Sequence, residues 1–151
     1  MELGPGLRLA GRIDRVDRQG DRAVVIDYKG RSATPLAKWA ADSRLQLALY
    51  ALALPEVLEG VAEVSGALYQ PLGADDRTPR GAMRDGADPG LNLKRTDRVD
   101  DAEFGELLED ARRRAVDAVQ DVRRGALKPS PDTCAWNGGC SFPSICRCER
   151  G

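Results

Sequence analysis

The stretch VVIDYKG, residues 24 to 30, constrains this chain more than any other part of it. Val24, Val25 and Ile26 form an apolar, β-branched run of the kind that makes a buried strand. Such a strand is expected to stay apolar or to end in a turn. This one delivers Asp27 and Lys29 with one residue between them. Side chains alternate along a strand, so Asp27 and Lys29 share one face and Tyr28 takes the other.

The flanking sequence places that strand in a hairpin. Leu7, Leu9, Gly11 and Ile13 alternate with Arg8, Ala10, Arg12 and Asp14, which predicts a first strand over about 7–14. DRQGD is a turn in which Gly20 can take a positive φ, and the second strand runs from about Arg22 to Lys29. Thr34-Pro35 is a helix-start signal, with a second start at Asp42 or Ser43. Leu45 to Leu54 is rich in helix formers and is followed by Pro55. VAEVSGALYQPL predicts a third strand, residues 73–90 a Gly/Pro/Asp-dense loop, and LNLKR a short fourth strand. Asp100 with Glu103 forms a capping box for a helix over about 101–124, which Gly125 can end. Its apolar stripe is Leu107, Leu108, Ala111, Ala115, Ala118, Val119 and Val122. The order β-β-α-β-(β)-α predicts one α/β domain with a mixed sheet.

Composition narrows the chemistry. At 151 residues, 42% apolar and 31% charged, the chain suits one globular domain. The formal charge of −1 gives no global electrostatic reason to expect nucleic acid. No apolar run is long enough for a membrane span, and no signal peptide is visible, so no membrane partner and a cytoplasmic location are expected. There is no histidine, which excludes a Ser-His-Asp triad, a Cys-His pair and a His-ligated zinc site within the chain. All four cysteines, Cys134, Cys140, Cys146 and Cys148, lie in the last eighteen residues. A disulfide framework would scatter them, so this cluster reads as a metal or iron–sulfur site.

The hairpin partner offers Asp14 at the corresponding end of its own strand, so Asp14, Asp27 and Lys29 can meet. Carboxylate oxygens suit a hard cation such as Mg²⁺, which shares its coordination with phosphate. A lysine beside it can position water or stabilise developing charge. That set is what phosphodiester hydrolysis needs. Asp-x-Lys alone is a weak motif, and a solvated hairpin end with one ordinary ion pair is its bland reading. Gln46 and Tyr50, at i and i+4, add a polar face on the following helix where a purely structural helix would carry Leu or Ala.

In this order GRIDRVD, VVIDYKG and QLALY resemble the RecB-type branch of the PD-(D/E)xK nuclease superfamily, over residues 7 to 54. The resemblance implies a restriction-endonuclease-like fold, a mixed sheet flanked by helices. It implies a Mg²⁺- or Mn²⁺-dependent DNA exonuclease of repair, recombination or defence. Asp14 and Asp27 correspond to the metal-binding carboxylates, Lys29 to the motif lysine, and Gln46 and Tyr50 to the Gln-x-x-x-Tyr motif that meets substrate. CAWNGGCSFPSICRC resembles the C-terminal cysteine cluster with which some members hold a [4Fe–4S] centre, with Zn²⁺ as the alternative. The implied partners are DNA, in particular single-stranded ends, and a helicase domain or subunit; the chain itself has no GxxxxGK[ST] motif.

Two departures stand out. The family's first helix, with a His or Glu for the metal, and its upstream cysteine have no counterpart here. The expectation is therefore a nuclease core over 1–128 that is a fragment of a longer protein, closed by a cysteine tail over 129–151. Cys134, Cys140 and Cys146 are the expected ligands, with Cys148 as the fourth. Two rival readings are a zinc-stapled interaction domain without catalysis and a nucleic-acid-binding module. The second would use Arg112, Arg113, Arg114, Arg123 and Arg124 on the late helix to track phosphates. Their bland reading is a solvated face balanced by Glu106, Glu109, Asp110, Asp117 and Asp121, and it is the one preferred.

Overall fold

The computed structural model describes residues 1–4 and 6–126. The cysteine tail and the four cysteines lie outside the described residues. The chain divides into two compact units, Met1–Asp117 and Ala118–Gly151.

The first unit is built on a five-stranded mixed sheet. Strands β1 (Glu2–Gly4) and β2 (Leu7–Arg8) form a separate small antiparallel ribbon. The main sheet has the order β3-β4-β5-β6-β7. β3 (Arg15–Gln19) and β4 (Arg22–Lys29) are the expected hairpin, turning at Gly20 with φ 63°. The first strand is shorter than its alternation predicts. Residues 9–14 are irregular, because Leu7–Arg8 pair with β1 instead of β4.

β4 pairs in parallel with β5 (Glu63–Pro71) across helix α1 (Gln46–Val57), a β-α-β crossover. α1 is preceded by a 3-10 turn at Leu36–Lys38 that follows Pro35. The helix runs past Pro55, so the proline sits in its last turn instead of marking its end. Leu47, Ala48, Ala51 and Leu54 are its buried side chains. Burying Leu47 and Leu54 contributes about 1.5–3 kcal/mol apiece.

The segment 73–90, expected to be a loop, contains strand β6 (Arg80–Arg84), antiparallel to β5. Its polar flanks hide a buried Gly81-Ala82-Met83 centre. Gly81 has φ 154°, and a Cβ there would lie 2.3 Å from the Ala67 carbonyl oxygen, so β6 approaches β5 as only glycine permits. LNLKR is not a strand. The fifth strand is β7 (Arg98–Val99), parallel to β6.

Helix α2 (Asp101–Arg123) begins at the predicted capping box. The Glu103 N–H donates to Asp100 Oδ1 at 2.8 Å, and the Asp100 N–H donates to Glu103 Oε2 at 3.3 Å. Phe104 and Ala111 are its buried residues. Of the predicted stripe, Leu107 and Leu108 are half-buried and Val122 is exposed. In the second unit the helix ends at Gly125, φ 77°, where the N–H groups of Gly125 and Ala126 donate to the carbonyls of Val122 and Asp121.

The sheet has two unlike faces. Ala23, Val25, Ala67, Tyr69 and Ala82 pack with α1, Trp39, Phe104 and Ala111 in the main core. Val24, Ile26, Leu68 and Met83 face the other way, against Ala87, Leu91 and Leu93. One irregularity decides which face β5 presents. Ala23 pairs with Val64 but Val24 pairs with Gly66, so Ser65 is an extra residue, a β-bulge. Past it the alternation of β5 is inverted, and Tyr69 comes onto the α1 face beside Asp27.

Candidate active site

The site lies at the C-terminal end of β4, under the first turn of α1. Asp27 is 4% exposed, although β4 could have ended in solvent. Three neighbours surround its carboxylate. Lys29 Nζ lies 2.5 Å from Oδ2, Gln46 Nε2 donates to Oδ1 at 2.9 Å, and Tyr69 is its direct partner on β5. Gln46 also accepts from Lys29 Nζ at 3.1 Å and shares its amide with the Tyr50 hydroxyl at 3.1 Å. Because Gln46 and Tyr50 are one turn apart, both reach the same end of the strand. Lys29, Asp27, Gln46 and Tyr50 thus form one connected polar network.

Asp14 sits in the bend just before β3. Its neighbour Arg15 pairs with Ile26, so Asp14 stands level with Asp27 across the hairpin. Its Oδ2 accepts the Tyr28 N–H at 2.9 Å, which closes the ladder where β3 has ended. Asp14 itself is exposed, and its segment runs against the helix: a Cβ on Gly11 would be 3.2 Å from Tyr50 Cε1. Asp14 therefore has a structural task as well as a place at the site.

Tyr69 is the residue that strand alternation did not reveal. It is 2% exposed, its ring meets Trp39 edge-on at 5.9 Å, and Lys29 Nζ lies 5.0 Å from its centroid. Burial raises the pKa of its phenol, and the negative charge of Asp27 raises it further; the Arg44 guanidinium opposes the shift. A reading that counted strictly by twos from Val64 would have turned Tyr69 away from the site.

A row of cross-strand partners continues outward: Tyr69 pairs with Arg80, which is held by the fully buried Asp97. Asp97 Oδ1 also accepts from Arg80 Nη2 at 3.2 Å and from the Leu36 N–H at 3.3 Å. The pair ties β6 to the 3-10 turn that leads into α1. Asp97 holds the Arg80 guanidinium above its usual pKa.

The residues fit a divalent cation in a specific way. Among the described residues no three acidic or cysteine side chains converge, so the protein offers two carboxylates, Asp14 and Asp27. Asp27 Oδ2 is buried, and the Lys29 ammonium 2.5 Å away is its partner. A buried carboxylate oxygen whose one close partner is an ammonium, with Asp14 level with it across the hairpin, suits Mg²⁺, which keeps several waters and needs few protein ligands.

Two carboxylates and a lysine near one strand end of a mixed sheet are the residue types from which hydrolytic metal sites are built. The model of the PD-(D/E)XK nuclease superfamily matches residues 1–147. The chain belongs to that superfamily, and its sheet carries the restriction-endonuclease-like fold. Comparison with curated proteins and with solved structures finds no match. Members of the superfamily generally use Mg²⁺ or Mn²⁺.

Proposed function

We propose that this chain is a Mg²⁺- or Mn²⁺-dependent nuclease that hydrolyses DNA phosphodiester bonds as an exonuclease of the RecB type. The observation that carries the reading is the buried Asp27 carboxylate, held by the Lys29 ammonium at Oδ2 and by the Gln46 amide at Oδ1. Asp14 and Asp27 would hold the cation. When bound, it supplies positive charge for the scissile phosphate and makes water more acidic. Lys29 places an ammonium where an attacking water or a phosphate oxygen needs a hydrogen-bond donor. Gln46 fixes both partners: its amide NH₂ holds Asp27 Oδ1 and its carbonyl oxygen holds Lys29. Tyr50 orients that amide through its hydroxyl.

The cysteine tail supports a further part of the proposal. Cys134, Cys140, Cys146 and Cys148 would hold a [4Fe–4S] cluster, with zinc as the alternative, because thiolates at this density suit soft centres. Single-stranded ends are the proposed substrate and a helicase the proposed partner, both on the resemblance to the RecB-type branch.

The test is cleavage of end-labelled DNA by the full chain with Mg²⁺ or Mn²⁺, against the same reaction in EDTA. Metal-dependent release of labelled nucleotides supports the reading; intact DNA at all metal concentrations overturns it. Purification without oxygen, followed by iron, sulfide and zinc analysis, separates the cluster from a zinc site.

A further inference from the structure

The arginines of this protein differ in what holds them. At the late helix they are spent locally: Arg112 on Glu109, Arg113 and Arg114 on Asp110, and, just past the end of α2, Arg124 on Asp121. They do not form an unneutralised cationic stripe. Arg12, Arg31 and Arg44 are different. Each is exposed and, like Arg8, Arg77 and Arg95, none has an acidic partner among the described residues. Each also lies two residues from a residue of the site: Arg12 before Asp14, Arg31 after Lys29, Arg44 before Gln46.

Arg44 is held with particular care. The residue before it, Ser43, is the one non-glycine residue with positive φ among the described residues, at 51°. A left-handed serine is uncommon and persists only where its surroundings enforce it. Arg114 does so, donating from Nη2 to Ser43 Oγ at 3.0 Å and to the Ala40 carbonyl at 3.3 Å. The Arg44 N–H donates to the Trp39 carbonyl at 2.9 Å, and Trp39 is the residue packed on Tyr69. The backbone is thus bent and pinned at the point where Arg44 leaves it, directly before the first turn of α1. Its positive charge opposes the upward pKa shift of the Tyr69 phenol.

We infer that Arg12, Arg31 and Arg44 form a phosphate-binding rim around the Asp14–Asp27 site, with Arg44 as its fixed member. The occupant is the sugar–phosphate backbone of a single DNA strand. Exposed guanidinium groups without a protein partner suit phosphate oxygens, and they fork across two of them. Near-neutral net charge is no obstacle, because Glu109, Asp110 and Asp121 are paired with the late-helix arginines while Arg12, Arg31 and Arg44 have no acidic partner among the described residues. The inference deepens the nuclease reading and takes its substrate class from it.

The experiment measures binding of a fluorescein-labelled single-stranded oligodeoxynucleotide to the full chain, in EDTA, across a salt series. Each phosphate contact on a single strand contributes about 0.7 to the slope of log affinity against log salt. R12A/R31A/R44A is expected to weaken binding and to reduce that slope by about 2, and R44A alone by about 0.7. R44K, which keeps the charge, should retain the slope, and R113A should leave it unchanged. An unaltered slope in the triple variant overturns the rim, as does an equal loss in R113A or no binding by the wild-type chain. Because EDTA stops cleavage, the two readings fail separately. DNA that is cut while the slope ignores these arginines sinks the rim alone. DNA that is held by them and never cut with metal sinks the nuclease reading alone.

Discussion

Asp27→Asn separates the chemistry of the site from its support. Asparagine keeps the Oδ1 that accepts from Gln46 and fits the same space. It loses the charge that would bind a cation and that faces Lys29. Removing a metal-ligating carboxylate forfeits about 4 kcal/mol of transition-state stabilisation, which is on the order of 10³-fold in rate. Stability should move far less. The Asp27 side chain is 5% exposed, so its charge is costly to bury, but its partner Lys29 is 34% exposed and can turn to water when the carboxylate is gone. The two effects offset, and Tm should stay within roughly 3 °C of wild type, about 1 kcal/mol at this size. Mg²⁺ at 100 times its Kd should stabilise the wild-type chain by about 2.7 kcal/mol and leave Asp27→Asn unaffected. Nuclease rates and thermal melts with and without Mg²⁺ measure all three quantities. A variant that cuts DNA at the normal rate, or gains as much from Mg²⁺ as the wild type, refutes Asp27 as a ligand.

Asp97→Ala should do the opposite: it strands the Arg80 guanidinium and the Leu36 N–H, costing about 3 kcal/mol or roughly 6–12 °C in a thermal melt. Gly81→Ala should cost at least about 2 kcal/mol, read as a lower urea midpoint, since its Cβ would overlap the Ala67 carbonyl and its φ is positive. Tyr69 gives a pH signature. Its folded pKa lies above the unfolded value near 10, so its contribution is complete below about pH 10 and lost as pH rises through the folded value. Urea titrations across that range should show Tyr69→Phe losing less stability with alkali than the wild type; parallel curves would contradict the assignment.

The site was more legible in the sequence than the frame that holds it. Asp27, Lys29, Gln46 and Tyr50 obey short-range periodicities, two along a strand and four along a helix, and these survive any change in the rest of the fold. Asp14 was legible as a residue but not as a strand end, because pairing of Leu7–Arg8 with Glu2–Gly4 is a choice between partners that local pattern does not decide. β6 was hidden by its own flanks. Gly81 and Ala82 read as loop composition until β5 is present to require close approach. Tyr69 was hidden by a single residue: Ser65 shifts the count, and no side-chain preference marks a bulge of this kind. Arg44 was one arginine among many, and its distinction is the pinned, left-handed Ser43 before it at the start of α1, which only the fold shows.

The parallel pairing of β4 with β5 has a consequence in time. Asp14, Asp27, Lys29, Gln46 and Tyr50 all lie between positions 14 and 50, yet Asp27 is enclosed by Tyr69, which lies 42 residues after it. A hairpin and a helix form in microseconds, but a parallel strand pair must first close the loop between its members. During synthesis the hairpin and α1 emerge complete while the carboxylate is still open to water. Only when residues near 71 have left the ribosome can β5 dock and fix the geometry around Asp27. A growing nuclease chain would thus remain harmless to nearby nucleic acid until its sheet is closed, a delay written into the strand order.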